Sequence, residues 1–395
     1  MTAHPHELWH ARLALLALAV GGFTIGTTEF ASMSVLPQIA EGLHVDEPTA
    51  GHVISAYALG VVVGAPTIAV LGARLSRRIL LVGLMGFFAL AHCLSALSPN
   101  LEWMLAFRFM SGLPHGAYFG VGALVAASLV PRSQRTQAVA RMMLGLTIAT
   151  IGGVPFANLI GQLFGWRWCF VIVAVLALFT ALMVMRYVPR DKGDPEASPL
   201  RELGALARPQ VWLTLLIGAI GFGGMFAVYT YLASTVTEVT GVDQAMVPVA
   251  LAVIGLGMTL GTLVCSWAAD RWQMKAAGVT LVYAIIVMAL YAPAAQQLWS
   301  MLVILLLIGC VGGLSSILQT RLMDVAGDAQ TLAAALNHSA FNAANALGPW
   351  LGGMAITAGY GWTSTGWVGA SLAIGGLLVW ALSMALDRAK AVRQV

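Results

Sequence analysis

One carboxylate stands out in the first apolar stretch of the chain. Glu29 is the only charged residue among the 28 residues from Leu13 to Ala40. If this stretch crosses a membrane as a helix, with a rise of about 1.5 Å per residue, Glu29 lies about 15 Å below the end near Ile39. An ionisable side chain at that depth indicates a functional site, and a proton carrier is the first hypothesis.

Two basic side chains share one face of a later apolar segment. Arg108, Gly112, His115 and Phe119 are spaced i, i+4, i+7 and i+11, which places them on one side of a helix. Arg108 cannot carry the proton because a guanidinium does not deprotonate in proteins. We therefore expect Arg108 to act electrostatically. His115 follows Pro114, so it either takes part in coupling or bonds a carbonyl freed by the proline.

The composition explains where such residues would lie. Of the 395 residues, 59% are hydrophobic and 9% are charged, whereas a soluble chain averages about 25% charged. Most of the surface therefore faces lipid, and uncharged runs of about 20 residues predict spanning helices. We predict an all-α membrane protein with twelve helices at 13–39, 50–72, 79–98, 103–129, 138–163, 167–187, 210–237, 246–269, 276–294, 299–322, 330–358 and 365–386.

The distribution of basic residues gives an independent check on this count. With both termini in the cytoplasm, all of the 20 Lys and Arg residues except Arg108 and Arg167 fall on or near the inner side. The net charge of +4 then reflects membrane orientation, and we expect no nucleic-acid partner. The four cysteines lie in separate predicted spans, and we expect neither a disulfide nor a metal site.

The charged stretch from Arg186 to Gln210 divides the twelve helices into two sets of six. It predicts a cytoplasmic linker at 189–209 between an N-terminal bundle, 1–188, and a C-terminal bundle, 210–395. The loop GARLSRR, at 72–78, has a counterpart in AADRWQMK, at 268–275. This pairing, which aligns Ser76 with Asp270, indicates a duplicated six-helix unit.

These features resemble the major facilitator superfamily over the whole chain, and the drug/proton antiporter, arabinose-efflux-permease-like branch of bacterial exporters in particular. The resemblance rests on TTEF, on GLPHGAYFGVGALVAASLV, on GLTIATIGGVP, on NHSAFNAANALG and on the paired loops. It implies a conformational loop motif made of Gly72, Arg77, Arg78, Asp270, Arg271 and Lys275. The family usually has Asp where this chain has Ser76, which puts the ionic latch of that loop in doubt.

The resemblance also implies that helices one and four line the same cavity. Glu29 and His115 would then approach each other at similar depth, with Arg108 above them, as a proton-coupling site. A low dielectric favours the neutral carboxyl and a nearby cation favours the ionised one, so a solute can tip the balance. The alternative is that Glu29 pairs with Arg108, or bonds Thr27 or Ser32, only to fix helix packing.

The second half offers polar rather than acidic groups. His338, Asn342 and Asn345 are spaced i, i+4 and i+7 on one face of the eleventh predicted helix. They either bind a polar solute or join neighbouring helices. Further candidate substrate-binding residues are Asn158, Tyr229, Tyr231 and Gln319.

The chain has no G-x-x-x-x-G-K phosphate loop and no soluble domain of useful size. We therefore expect a monomeric inner-membrane transporter that uses no cofactor and draws its energy from the proton gradient. The expected function is export of a small polar or amphiphilic solute, such as a drug, sugar or nucleoside, by proton antiport and alternating access; the direction comes from the resemblance. The alternatives are an importer or uniporter of the same fold, or a non-transporting receptor. An enzyme is not expected, because the spans lack clustered acids or metal-ligand spacing.

Overall fold

The computed structural model describes residues 5–72, 74–131, 134–193, 206–326 and 330–393. Residues 194–205 of the predicted linker lie outside these ranges, as does Arg132 among the basic residues of the inner side. The linker and the limits of the two bundles stay predictions.

Within the described ranges the chain folds into twelve long helices joined by short connections. Their bounds are α1 (Pro5–Ser34), α2 (His52–Leu71), α3 (Arg77–Ala96), α4 (Leu101–Ser128), α5 (Arg135–Ile148, continuing as Val154–Phe164), α6 (Arg167–Tyr187), α7 (Pro209–Gly221, continuing as Gly223–Thr230), α8 (Val247–Trp272), α9 (Met274–Ala289), α10 (Leu298–Cys310, continuing as Leu314–Ala326), α11 (Gln330–Ala355) and α12 (Ser364–Arg393). The predicted count of twelve is confirmed.

The ends differ from the prediction where polar residues continue a helix or where a turn breaks it. α1 begins eight residues before the predicted start, because helical hydrogen bonding extends beyond the apolar run. The same predicted helix is divided at Val35, and a second helix, Leu36–Leu43, follows with Pro37 in its first turn. Proline is tolerated there because the first turn leaves its N–H groups without helical partners.

Nine segments in the described part of the chain are long and apolar enough to cross a membrane by length and composition. Three of the twelve helices, α4, α9 and α11, are not among them. α9 is short, with 16 residues, whereas α4 and α11 carry the polar residues singled out above. The helices that are least like a simple lipid-facing span therefore include two that bear candidate site residues.

Helix packing repeats between the halves. In the first half α2 packs on α4, α3 on α6, and α1 on both α5 and α6. In the second half α8 packs on α10, α9 on α12, and α7 on both α11 and α12. Each pair in one half thus has its counterpart six helices later, as expected for a duplicated unit.

Glycines bring equivalent helices together at the same points in both halves. A Cβ on Gly60 would lie 2.1 Å from the Phe109 oxygen, and one on Gly112 would lie 2.0 Å from the Tyr57 oxygen. Gly257 and Gly309 make the equivalent close approaches to backbone oxygens in the second half. Each lies 197 residues after its counterpart (60 to 257 and 112 to 309). Small residues at these crossings allow the backbones to approach, which is how helices associate in lipid.

The two halves meet through α2 with α11 and through α5 with α8. The Ser55 hydroxyl donates to the Ala346 carbonyl oxygen at 2.9 Å. Further from the termini, the Ser234 hydroxyl donates to the Glu47 carboxylate. Both contacts lie in the part of the bundle opposite the two termini, so the halves are in contact on that side.

The crossing of α2 and α4 can be tested with one added methyl group. Gly112→Ala should lower the free energy of unfolding by about 1 to 3 kcal/mol, because the new Cβ overlaps backbone that cannot turn aside. Gly83→Ala in α3 is the matched control, since no atom of the described ranges lies within 4 Å of its added Cβ. That control should be neutral or stabilising by up to about 1 kcal/mol. Thermal unfolding of purified protein checks both, and equal midpoints for the two variants would contradict the close packing.

Candidate functional site

Glu29 lies inside the bundle and reaches across to the other half. The residue is 7% exposed. Its Oε1 accepts a hydrogen bond from Nδ2 of Asn345, on α11, at 3.4 Å. The acid of α1 is therefore joined directly to the polar face of α11.

Arg108 lies fully buried beside the helix that carries Glu29. Its Nη1 donates to the Thr28 hydroxyl oxygen at 3.4 Å, and its guanidinium carbon lies 4.3 Å from the centre of the Tyr57 ring. The Nε and Nη2 groups of Arg108 have no hydrogen-bond partner in the part of the chain that the structure describes. In the described part of the chain, Arg321 and Asp387 form an ion pair, whereas Arg108 and Glu29 do not approach within 4.0 Å. The Arg108 charge still acts on Glu29 electrostatically.

His115 is held by α2 rather than by Glu29. Its Nδ1 lies 2.9 Å from the Tyr57 hydroxyl, and its ring centre lies 6.2 Å from that of His338 on α11. The structure does not bring His115 and Glu29 into hydrogen-bond contact. Tyr57 lies between the two basic groups, with its ring beneath Arg108 and its hydroxyl on His115, so two of the three predicted coupling residues contact this tyrosine.

Several buried polar atoms at the contact between halves have no hydrogen-bond partner among the residues that the structure describes. They include Oδ1 of Asn342, Oδ1 of Asn345 and the Tyr229 hydroxyl. The Phe30 ring lies 5.1 Å from the Tyr229 ring and 6.1 Å from that of Phe226, between centres. Buried polar groups are seldom left unpaired, so these atoms can hydrogen-bond a polar molecule beside an aromatic surface.

The other predicted substrate residues make contacts within the protein. His338 stacks on Phe119 with ring centres 5.1 Å apart. Asn158 donates to the Ser34 carbonyl at 2.7 Å, and Tyr231 donates to the Pro349 carbonyl at 2.9 Å. Gln319 accepts from Asn337 at 3.4 Å. The structure thus places Asn345 on Glu29 and Tyr229 on the neighbouring Phe30. Asn342 lies one turn before Asn345 on α11 and donates to the His338 carbonyl at 3.0 Å. Asn158 and Tyr231 make helix-joining hydrogen bonds.

Sequence reasoning missed two side chains of the site, Thr28 and His92. His92 is fully buried in α3, and its Nε2 lies 2.8 Å from the Thr28 hydroxyl oxygen. The sequence did contain a signal for His92, because it is the only histidine in the uncharged run from Ile79 to Leu101. The rule that singled out Glu29 applies to it equally.

Most of the chain matches a family of known proteins. Residues 18–337 match the family model described as Major Facilitator Superfamily. The chain belongs to the major facilitator superfamily. It is a multi-pass membrane transporter and not an enzyme.

Three relatives align with nearly the full length of this chain. The inner membrane transport protein YdhP of Escherichia coli (strain K12) is 38% identical over 362 residues, covering 91% of this chain and 92% of that protein. The putative transporter AraJ of the same organism is 33% identical, covering 87% and 88%. The chloramphenicol resistance protein of Streptomyces lividans is 34% identical, covering 94% and 95%.

A solved structure shares the fold. The crystal structure of a bacterial homologue of the human lysosomal transporter Spinster, in an inward-facing and unoccupied conformation, superposes with a TM-score of 0.66. It covers 97% of this chain and 96% of that chain at 16% identity. At that identity the likeness shows the fold alone, and it agrees with the two six-helix halves predicted from the sequence.

In the loop between α2 and α3, Ser76 stands where the family usually has Asp, and an acid from another segment, Asp191, lies beside it. The Ser76 hydroxyl donates to Oδ1 of Asp191, after α6, at 2.7 Å. The backbone N–H groups of Arg77 and Arg78 donate to the same carboxylate at 2.8 and 3.3 Å. Asp191 therefore caps the first turn of α3, where free N–H groups and the helix dipole favour an anion.

The remaining motif residues make separate contacts. Gly72 lets α2 end close to α3, since a Cβ there would lie 2.7 Å from Cδ2 of Leu80. Arg78 donates to the Met185 carbonyl. In the second half Arg271 stacks over the Trp267 ring at 4.7 Å, and Lys275 and Asp270 lie either side of the turn at Gln273, whose φ is 45°.

Asp191 gives a pH-dependent test of this cap. Burial of its carboxyl favours the neutral form, but the hydrogen bonds from Ser76, Arg77 and Arg78 outweigh it and hold the pKa of Asp191 below its ordinary value. The carboxylate therefore stabilises the fold above an ordinary pKa of about 3.9, and this contribution is lost as the pH falls through the lower folded-state pKa.

We expect Asp191→Asn to lower the thermal midpoint at pH 7, with the difference from wild type shrinking in acid. Adding Ser76→Asp to that variant should restore the midpoint, because an acid at position 76 caps the same turn. Ser76→Asp alone should be destabilising, since it places two carboxylates together. A midpoint gap that does not change between pH 7 and pH 3 would contradict the cap.

Proposed function

We propose that this transporter exports a small, partly polar solute in exchange for protons, with Glu29 as the proton carrier. The observation that carries the proposal is the hydrogen bond from Asn345 to Glu29, which joins a buried carboxylate of one half to the polar face of the other. No predicted span of the second half contains an acid. Proton and solute therefore compete for the same small group of atoms.

The exchange follows from what each state of Glu29 can bond. The ionised carboxylate accepts from Asn345 and is favoured by the nearby Arg108 charge. The protonated carboxyl avoids the unfavourable burial of a charge and leaves the Asn345 amide free for another partner. A solute that binds Asn345 and its surroundings alters this balance, so binding and proton release are coupled.

The hydrogen-bonding groups and aromatic rings around Glu29 indicate the class of solute. The free oxygens of Asn342 and Asn345 accept hydrogen bonds, the Tyr229 hydroxyl can donate or accept, and Phe30 and Phe226 offer flat apolar surfaces. A neutral or weakly charged molecule with hydroxyl or amide groups and an apolar ring fits these groups. Chloramphenicol is the first probe, because the Streptomyces lividans relative is named for resistance to it.

The proposed membrane is the inner membrane, with both termini in the cytoplasm, and the YdhP name supports the first part. The contacts between halves would then close the outer side, and the site would take solute from the cytoplasm. Moving one charge across 100 mV provides about 2.3 kcal/mol, enough to hold about a 50-fold solute gradient.

The test is transport of radiolabelled chloramphenicol in proteoliposomes with an imposed pH gradient. Wild-type protein should concentrate the drug against its gradient, and Glu29→Gln should abolish concentration while retaining exchange of labelled for unlabelled drug. Glu41→Gln is the matched control, since Glu41 is an exposed acid on the short helix after α1.

Three results would contradict the proposal. If Glu29→Gln still concentrates the drug against its gradient, Glu29 is not the proton carrier. Downhill flux that ignores the pH gradient in wild type would favour a uniporter. Accumulation in the opposite direction would favour an importer.

A further inference from the structure

A buried cluster at the junction of α1, α3 and α4 joins Arg108 to two side chains that have no part in the exchange described above. It contains Thr28, His92 and Arg108, with exposures of 1%, 0% and 0%. Thr28 precedes Glu29 in the sequence, so the cluster lies on the same turn of α1 as the proposed proton carrier. The His92 ring packs against Phe88, with ring centres 4.2 Å apart.

Hydrogen-bond directions in this cluster are fixed by one carbonyl group. His92 Nδ1 lies 2.8 Å from the Phe88 carbonyl oxygen. A carbonyl only accepts, so Nδ1 carries the hydrogen and Nε2 of the neutral ring is an acceptor. The Thr28 hydroxyl, 2.8 Å away, then donates to Nε2, and its oxygen is left to accept from Arg108 Nη1 at 3.4 Å.

A charged His92 does not fit the same arrangement. Its Nε2 would become a donor, so the Thr28 oxygen would have to accept from two cations in an apolar interior. His92 is thus suited to hold a hydrogen bond and not to carry a proton. Its neutral form keeps the Thr28 oxygen available to Arg108.

Few other groups restrain the Arg108 guanidinium. Among the described residues its Nε and Nη2 have no hydrogen-bond partner, and its guanidinium lies over the faces of Tyr57 and, at 5.5 Å, Phe170. The titratable groups that act on it are Tyr57 of α2 and Glu29 of α1, with His92 of α3 beyond Thr28. Because ring faces restrain direction weakly, the Thr28 oxygen is the contact that orients the guanidinium.

We propose that Thr28 and His92 are positioning residues that hold the Arg108 guanidinium beside Glu29 and thereby set the pH at which Glu29 exchanges its proton. This chain of hydrogen bonds, which we call the relay, runs from the Phe88 carbonyl through His92 and Thr28 to Arg108. This inference rests on the proposed proton role of Glu29. It adds α3 to the helices that determine coupling.

Infrared difference spectroscopy of purified full-length protein, titrated without any solute, tests the relay. The protonated-carboxyl band that disappears in Glu29→Gln reports Glu29, and its pH midpoint is measured in each variant. Thr28→Val and His92→Phe each remove the same hydrogen bond and keep the volume. Thr28→Ser and His92→Gln keep a hydroxyl and an acceptor, and Ser95→Ala is the control, since the buried Ser95 hydroxyl bonds only its own helix, at Ala91.

We expect the midpoint to move by at least about half a unit in Thr28→Val and in His92→Phe, in the same direction. The double variant should move no further than either single one, because both act on one chain of bonds. Thr28→Ser, His92→Gln and Ser95→Ala should keep the wild-type midpoint.

Unchanged midpoints in Thr28→Val and His92→Phe, or additive shifts in the double variant, would overturn the inference. Equal shifts in His92→Gln and His92→Phe would also do so, since they would indicate packing alone. The absence of any band that depends on Glu29 would instead contradict the proposed function, on which the relay depends.

Discussion

A carboxylate inside an apolar bundle is stable only if other groups compensate for the water it has lost. Glu29 is such a group, and the surrounding helices are arranged around it. α11 supplies the Asn345 amide, α4 supplies the charge of Arg108, and α2 supplies the tyrosine on which that charge rests. Because these partners come from both halves, a change in the charge of Glu29 alters the contact between the halves.

The two halves share a helix-packing framework but differ in their buried polar residues. The glycine crossings recur at the same positions 197 residues apart (60 to 257 and 112 to 309), so each half is built to the same close packing. The polar chemistry does not recur: the first half has the acid and the arginine, and the second has the amides of Asn342 and Asn345. The proposed solute and proton groups therefore face each other across the boundary at which the halves meet.

The sequence predicted the features that depend on local pattern. Runs of apolar residues located the twelve helices, and the depth of Glu29 and the spacing of Arg108 placed both inside the bundle. Contacts set by side-chain rotation and by distant segments were not predictable in this way. The contacts of Tyr57 with Arg108 and His115 depend on side-chain rotation, and nothing in the loop after α6 marked Asp191 as a cap for α3.

Proton release on ligand binding tests the central claim most directly. Chloramphenicol is added to weakly buffered, detergent-purified protein, and the pH change is recorded beside an independent measurement of binding. Wild type should release protons as it binds, and Glu29→Gln should bind without release. Equal release from both proteins, or binding by wild type with no release at all, would contradict the account of Glu29 as the proton carrier.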